Sequence, residues 1–234
     1  MFRFKQFDVD QTGCAMKINT DGVLLGALTE ADEPESILDI GTGTGVIALM
    51  LAQRYDNAKI DAVEINEEAA QTAAANFKNS PFSARSTVYP FGFEEFFRQN
   101  PGKKYDLIVS NPPFYINALK SPQKGRQLAK HANERFFADL VKVLQSHLTD
   151  GGECWIILPP DTSALVKGLV KERGMDIKNI IHIYSYPDSA AHREILTFTT
   201  SKREAEMSQF IIYDAPNVYS AIYREALKDF FTIF

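Results

Sequence analysis

The chain is poor in cysteine, has no long apolar run and carries no excess of positive charge. Each shortage removes a class of protein. Only Cys14 and Cys154 are present among 234 residues. They stand far apart and in no metal-ligand spacing, so neither a disulfide scaffold nor a cysteine-held metal is expected. Both read as small buried apolar residues in a reducing compartment. No apolar run approaches the roughly 20 residues that a membrane span needs. The opening Met1-Phe2-Arg3-Phe4-Lys5-Gln6 has no apolar stretch of the secretory type, so the expected location is the cytoplasm. A net charge of −5 argues against a protein that coats nucleic acid with its whole surface. Internal repeats and low-complexity segments are absent. What remains is 45% hydrophobic and 24% charged, the composition of a globular chain able to bury one sizeable core.

Strand and helix patterns alternate. Ile37–Asp39 is a short apolar strand that runs into glycines, and Val46–Arg54 has helical periodicity. Lys59–Glu64 reads as a strand ending in an acid. Asn66–Asn79 is an alanine-rich helix with Asn66 as N-cap and Glu67 and Glu68 in its first turn. Ser86–Tyr89 is a weak strand and Tyr105–Ser110 a strong one. Asn133–His147 reads as a helix, Cys154–Leu158 as a buried strand and Leu165–Arg173 as a helix, with Gly174 past its end. Ile177–Tyr184 and Glu194–Thr200 form a final antiparallel pair. This order implies an α/β fold: a mostly parallel sheet with helices on both faces. One domain is expected over residues 1–234, with a cap at 1–35, a core at 36–205 and an aromatic extension at 206–234 that packs back on the core.

Two motifs carry the chemistry. The first is Leu38-Asp39-Ile40-Gly41-Thr42-Gly43-Thr44-Gly45. A strand that turns sharply into a helix needs glycine where φ is positive or where a ligand comes close, and amides at the helix start face that ligand. A dinucleotide-binding turn would read G-x-G-x-x-G. Here the third glycine falls one residue early, which suits a ligand with a ribose and a carboxylate and no pyrophosphate. Glu64, about 20 residues on, stands at the offset of an acid that accepts from both ribose hydroxyls. Without a ligand the same residues would make a tight turn and a solvated strand end.

The second motif is Asn111-Pro112-Pro113-Phe114, closing the strand Tyr105–Ser110. Two prolines fix φ and remove two donors, so the turn is stiff. The Asn111 side-chain oxygen and the Pro112 carbonyl can accept both hydrogens of a planar –NH2. Such a nitrogen is a poor nucleophile, because its lone pair is delocalised. Two acceptors that strengthen as positive charge develops on it favour the transition state. Phe114 offers a flat face for stacking. The plainer alternative is a rigid turn with a core phenylalanine.

The segment that follows departs from the overall charge. Across residues 115–135, Lys120, Lys124, Arg126, Lys130 and Arg135 face Glu134 alone. Such clusters are usually a solvated face. Beside the Asn-Pro-Pro turn, this one also reads as a grip on a nucleic-acid backbone.

In these residues the chain resembles the class I S-adenosylmethionine-dependent methyltransferases. Gly41–Gly45 matches their cofactor loop, Glu64 their ribose acid and Asn111–Phe114 their amino-methylating motif. The resemblance implies a seven-stranded sheet with the last strand antiparallel. A narrower likeness runs through Phe7-x-Val9-x-Gln11 and Ala15–Ala27, then Arg126-x-x-Ala129-Lys130-His131 and Tyr223-x-x-x-Leu227-x-x-Phe230. These segments resemble the bacterial tRNA adenine-N6 methyltransferases that modify valine tRNA at adenosine 37.

That likeness implies S-adenosylmethionine as cofactor, tRNA as partner, no metal, no membrane and a monomer. It puts Thr20, Asp21, Asp39, Gly41, Gly43, Gly45, Glu64 and Asn111 on the cofactor side. Asn111, Pro112 and Phe114 are at the chemistry, and Pro113, Tyr115, Lys124, Arg126, Lys130 and His131 are toward the RNA. From the residues alone, Asp21 is equally an N-cap ahead of Val23–Leu28. His131 could act as a base, with phosphate contact or a structural role the favoured reading. Two positions depart from the pattern: Val88-Tyr89-Pro90-Phe91 stands where many relatives carry an acid for the cofactor's adenine, and Lys130-His131 replaces Arg-His. Enzymes that methylate a guanine amino group in ribosomal RNA or a protein glutamine share the Asn-Pro-Pro turn. A non-catalytic RNA-binding protein on this fold would have lost that turn or Glu64, and both are present.

Overall fold

The computed structural model describes residues 1–112 and 123–234, and of residues 123–132 only the helical backbone. A small hairpin, β1 (Phe2–Arg3) with β2 (Asp8–Val9), precedes α1 (Thr20–Leu28). Then come β3 (Ser36–Ile40), α2 (Val46–Arg54), β4 (Lys59–Val63), α3 (Glu67–Lys78), β5 (Ser86–Tyr89) and α4 (Phe93–Gln99). The second half holds β6 (Tyr105–Ser110), α5 (Gln123–His147), β7 (Leu148–Leu158), α6 (Pro160–Glu172), β8 (Asp176–Tyr184) and β9 (Ala191–Thr199). Last are β10 (Glu206–Ile211), β11 (Tyr213–Ala215), β12 (Val218–Tyr219) and α7 (Ala221–Leu227).

The central sheet runs β10-β8-β9-β7-β6-β3-β4-β5. β3 pairs in parallel with β4 on one side and β6 on the other, so the strand order reverses there and a crevice opens beyond their carboxyl ends. β9 is antiparallel to both β7 and β8, as expected. The seven expected strands are present, and β10, parallel to β8, adds an eighth at the edge. No helix of the described residues is long and apolar enough to cross a membrane.

Strand period 2 sorts the core into two layers. Ile37, Ile60, Leu107, Val109, Trp155 and Ile157 point to one face, where α1, α2 and α7 pack. Leu38, Ile40, Ile108, Ile156 and Leu158 point to the other, against α4, α5 and α6. Helix α2 is buried over Val46–Ala52, so it presents apolar residues all round, as a helix enclosed by neighbours does. Both chain ends meet on the first face: Phe4 bridges to Phe231, and the Lys5 N–H donates to the Phe230 carbonyl at 2.8 Å.

Several boundaries move; α6 begins at Pro160 and β9 at Ala191, ahead of the expected Leu165 and Glu194. Helix α5 begins at Gln123, ten residues before the expected Asn133. Strand β7 begins at Leu148, so Asp150-Gly151-Gly152 lies inside it. There the register with β6 jumps from Tyr105↔Leu148 to Leu107↔Glu153, and Gly151 takes φ +82°, which marks a bulge.

Candidate active site

The turn after β3 is left-handed at each glycine: Gly41 at φ +73°, Gly43 at +55° and Gly45 at +83°. At Gly45 a Cβ would lie 2.7 Å from the Phe77 ring, so backbone and packing both demand glycine. At Gly43 a Cβ would meet nothing within 4 Å, so the demand there is conformational alone and the side away from the protein stays open to a ligand. The turn is tied down by its own amides. Gly41 and Thr42 both donate to the Val63 carbonyl, at 2.9 and 3.1 Å, and Gly45 donates to the Thr42 carbonyl at 2.8 Å.

Glu64 closes the turn from β4. Its Oε2 accepts the Gly43 N–H at 3.0 Å and its Oε1 accepts the Asn66 N–H at 2.8 Å. Each carboxylate oxygen has a second lone pair to offer. Asp39 lies beneath the turn, fully buried, and its Oδ2 accepts from the Thr42 hydroxyl at 2.6 Å. Burial pushes its pKa up to about 7, and the Glu64 charge adds to the rise; hydrogen bonds from Thr42 and the Ala48 amide oppose it.

A cavity of about 440 Å³ opens over this turn. Its lining joins Gly41–Thr44 to Glu64 and Ile65, then to Phe91–Glu94 at the start of α4, to Ser110–Pro112 and to the N-terminal stretch Cys14–Asn19. The Ser110 hydroxyl donates to the Ile40 carbonyl at 2.9 Å, which locks the ends of β6 and β3 together. Asn111 therefore stands at the same cavity wall as the glycine turn. Its Oδ1 is buried and has no hydrogen-bond partner among the described residues. A buried carbonyl oxygen left unpaired costs about 1–3 kcal/mol. That oxygen is shut from solvent, so it meets a ligand only when the carboxamide turns or its cover shifts.

Gly41, Gly43, Glu64, Asn111 and Pro112 thus come together on one cavity. Gly45 is the N-cap residue of α2, one step behind the lining. Asp39 supports the turn from below. Thr20 and Asp21 form the first turn of α1 and are not among the lining residues. The Asp21 carboxylate pairs with Arg193 at 2.7 Å. The N-cap of α1 is Asn19, two residues before Asp21, and its Oδ1 accepts the Gly22 N–H at 2.9 Å. Asn19 and Gly22 are the residues of this segment that reach the cavity. Pro113, Phe114 and Tyr115 lie outside the described residues. Lys124, Arg126, Lys130 and His131 lie on the helical backbone of α5, with side chains outside the description.

Sequence reasoning missed Ile65, Phe91, Phe93 and Glu94. One signal was available: an apolar residue directly after the strand-end acid. Ile65 is 79% exposed and lies at the cavity lining. Phe91, Phe93 and Glu94 fall just where no acid follows β5 directly.

A parallel sheet with one reversed strand, a glycine turn and acid at its switch point, and Asn111-Pro112 at the end of the adjoining strand β6 define a class I methyltransferase. Residues 17–164 match the family described as methyltransferase small domain. A tRNA1(Val) (adenine(37)-N6)-methyltransferase of Pedobacter heparinus is 46% identical over 100% of this chain and 98% of its own length. One of the same name from Flavobacterium psychrophilum is 41% identical over 99% of both. Among solved structures, a crystal structure of an O-methyltransferase assigned by prediction in Agrobacterium tumefaciens superposes with a TM-score of 0.68 at 20% identity, over 90% of this chain and 96% of that one. The chain belongs to the methyltransferase small-domain family and, within it, to the group its full-length relatives form.

Proposed function

We propose that this methyltransferase transfers the methyl group of S-adenosylmethionine to the N6 amino group of an adenine in tRNA, adenosine 37 of valine tRNA. The observation that carries the reading is the single cavity joining the glycine turn, Glu64 and the Asn111-Pro112 turn. Full-length relatives bearing that name support the substrate.

The residues fit the cofactor. Glu64 has spare lone pairs for a ribose diol, and Gly41 and Gly43 leave open space above the turn. Ile65, Phe91 and Phe93 supply an apolar wall for a flat base, with the Glu94 carboxylate beside them. When bound, S-adenosylmethionine supplies an electrophilic methyl carbon on a good leaving group. The protein's task is then positioning. Asn111 Oδ1 and the Pro112 carbonyl accept the two amino hydrogens, and that pair of bonds strengthens as charge grows on the nitrogen. Phe114 stacks on the flipped base, with Pro113 and Tyr115 flanking it. Lys124, Arg126, Lys130 and His131 hold the RNA backbone. Taking a base out of an anticodon loop costs less than taking it from a duplex. The methylated nitrogen is acidic enough to lose its proton to water.

The test is transfer of labelled methyl from S-adenosylmethionine to unmodified valine tRNA, with mass spectrometry of the product nucleoside. N6-methyladenosine is the expected product, lost when position 37 carries guanosine. Label in N2-methylguanosine of ribosomal RNA, or in protein glutamine, would replace this reading with one of its neighbours.

A further inference from the structure

Asn76 sits in α3, 3% exposed and outside the cavity lining, yet its side-chain hydrogen bonds reach two distant segments. Its Oδ1 accepts the Asp10 N–H at 2.8 Å. Its Nδ2 donates to the Asp10 carbonyl and to the Thr44 carbonyl, both at 2.9 Å. Thr44 belongs to the glycine turn. Asp10 opens the strap that returns along the cavity as Cys14–Asn19. The strap has further ties. Thr72, one turn earlier on α3, donates to the Thr12 carbonyl, and Gln11 Oε1 accepts the Ile18 N–H at 2.8 Å, closing the strap on itself. Gly13 takes φ +76°, and a Cβ there would lie 3.5 Å from Glu68 and Thr72 on the same helix. A buried asparagine serving only local backbone would satisfy one segment. This one joins two, both of which line the cavity.

We propose that Asn76 is a positioning residue for cofactor binding, coupling the strap of residues 10–19 to the glycine turn so that two walls of the cavity hold one geometry. The inference rests on the reading of this cavity as the S-adenosylmethionine site. Without the clasp the strap must be ordered when the cofactor binds, and that ordering subtracts from affinity.

The test titrates S-adenosylmethionine into wild type and Asn76→Ala by calorimetry, with amide hydrogen exchange followed at residues 10–19 and 41–45. Affinity should fall roughly tenfold, within the usual range of coupling between sites. The strap amides should exchange faster, and turnover at saturating cofactor should stay near that of wild type. A side chain that only stabilises the fold would lower the melting temperature and leave affinity and strap exchange unchanged, which overturns the proposal. Should Asn76→Ala fail to fold, Gln11→Met decides. It removes only the strap's internal acceptor from a half-buried position, and unchanged cofactor affinity in that variant also overturns the proposal. Wild type that fails to bind S-adenosylmethionine removes the cavity reading itself and the coupling with it. Tight binding in wild type and both variants sinks the coupling alone.

Discussion

Glu64 and Asn111 face one cavity from the ends of β4 and β6, the strands on either side of β3, and they are held in opposite ways. Each Glu64 oxygen already receives a backbone N–H, from Gly43 and from Asn66. The Asn111 oxygen receives nothing from the described residues and is buried. The carboxylate is rigid before any ligand arrives, because charge-assisted bonds to amides fix it. The carboxamide carries an unmet acceptor whose cost is relieved only by a donor that the described residues do not supply. One wall is therefore built to hold, and the other to respond, as catalytic contacts that tighten only with substrate commonly do.

The largest expected effect breaks the responding wall. Asn111→Ala should lower turnover by roughly 10²–10³, the cost of removing one preorganised polar group from a transition state. Cofactor affinity, read by calorimetry, should hold. The substitution also deletes the orphaned acceptor, so the melting temperature should hold or rise. Near-normal turnover would end the catalytic assignment of Asn111.

Breaking the holding wall should give the reverse pattern. Glu64→Gln removes the charge and turns one acceptor into a donor facing a backbone amide. Cofactor affinity should fall by roughly tenfold or more, and stability by about 1 kcal/mol, with turnover at saturating cofactor less affected. If affinity survives and only turnover drops, the two walls have been assigned the wrong way round.

How far this contrast could be read from sequence follows from where each signal lies. The strand ends and both motifs were legible, because β3, β4 and β6 are short apolar runs closed by glycine, acid or proline. Strand β10 was not. Glu206–Gln209 are all exposed at a sheet edge, so no alternation betrays them, and pairing with β8 alone makes them a strand. Helix α4 could have been read: Gly92 caps it, and Phe93, Phe96 and Phe97 are buried at helical spacing. The pairing of Asp21 with Arg193, 172 residues away, leaves no trace in local pattern. Neither does the orphaned state of Asn111, which depends on what fails to arrive beside it.

The finest test of the contrast uses a group that senses Glu64 without touching the cavity. Asp39 is buried beneath the turn, and its pKa is raised from an ordinary 3.8 to about 7, by burial first and in smaller part by Glu64. The folded chain therefore keeps a proton that the unfolded chain releases between those two values. The stability tied to Asp39 falls as pH rises through that window and is level above it, with a slope of at most about 1.4 kcal/mol per pH unit. Urea unfolding of wild type from pH 5 to 8 should show this decline. Asp39→Asn should flatten it, since the carboxamide keeps an acceptor for the Thr42 hydroxyl and has no proton to lose. Glu64→Gln should shift the decline slightly toward lower pH, because the neutral side chain no longer raises the cost of charging Asp39. Parallel curves for wild type and Asp39→Asn would show that Asp39 is charged throughout, and that the turn rests on an ionised carboxylate.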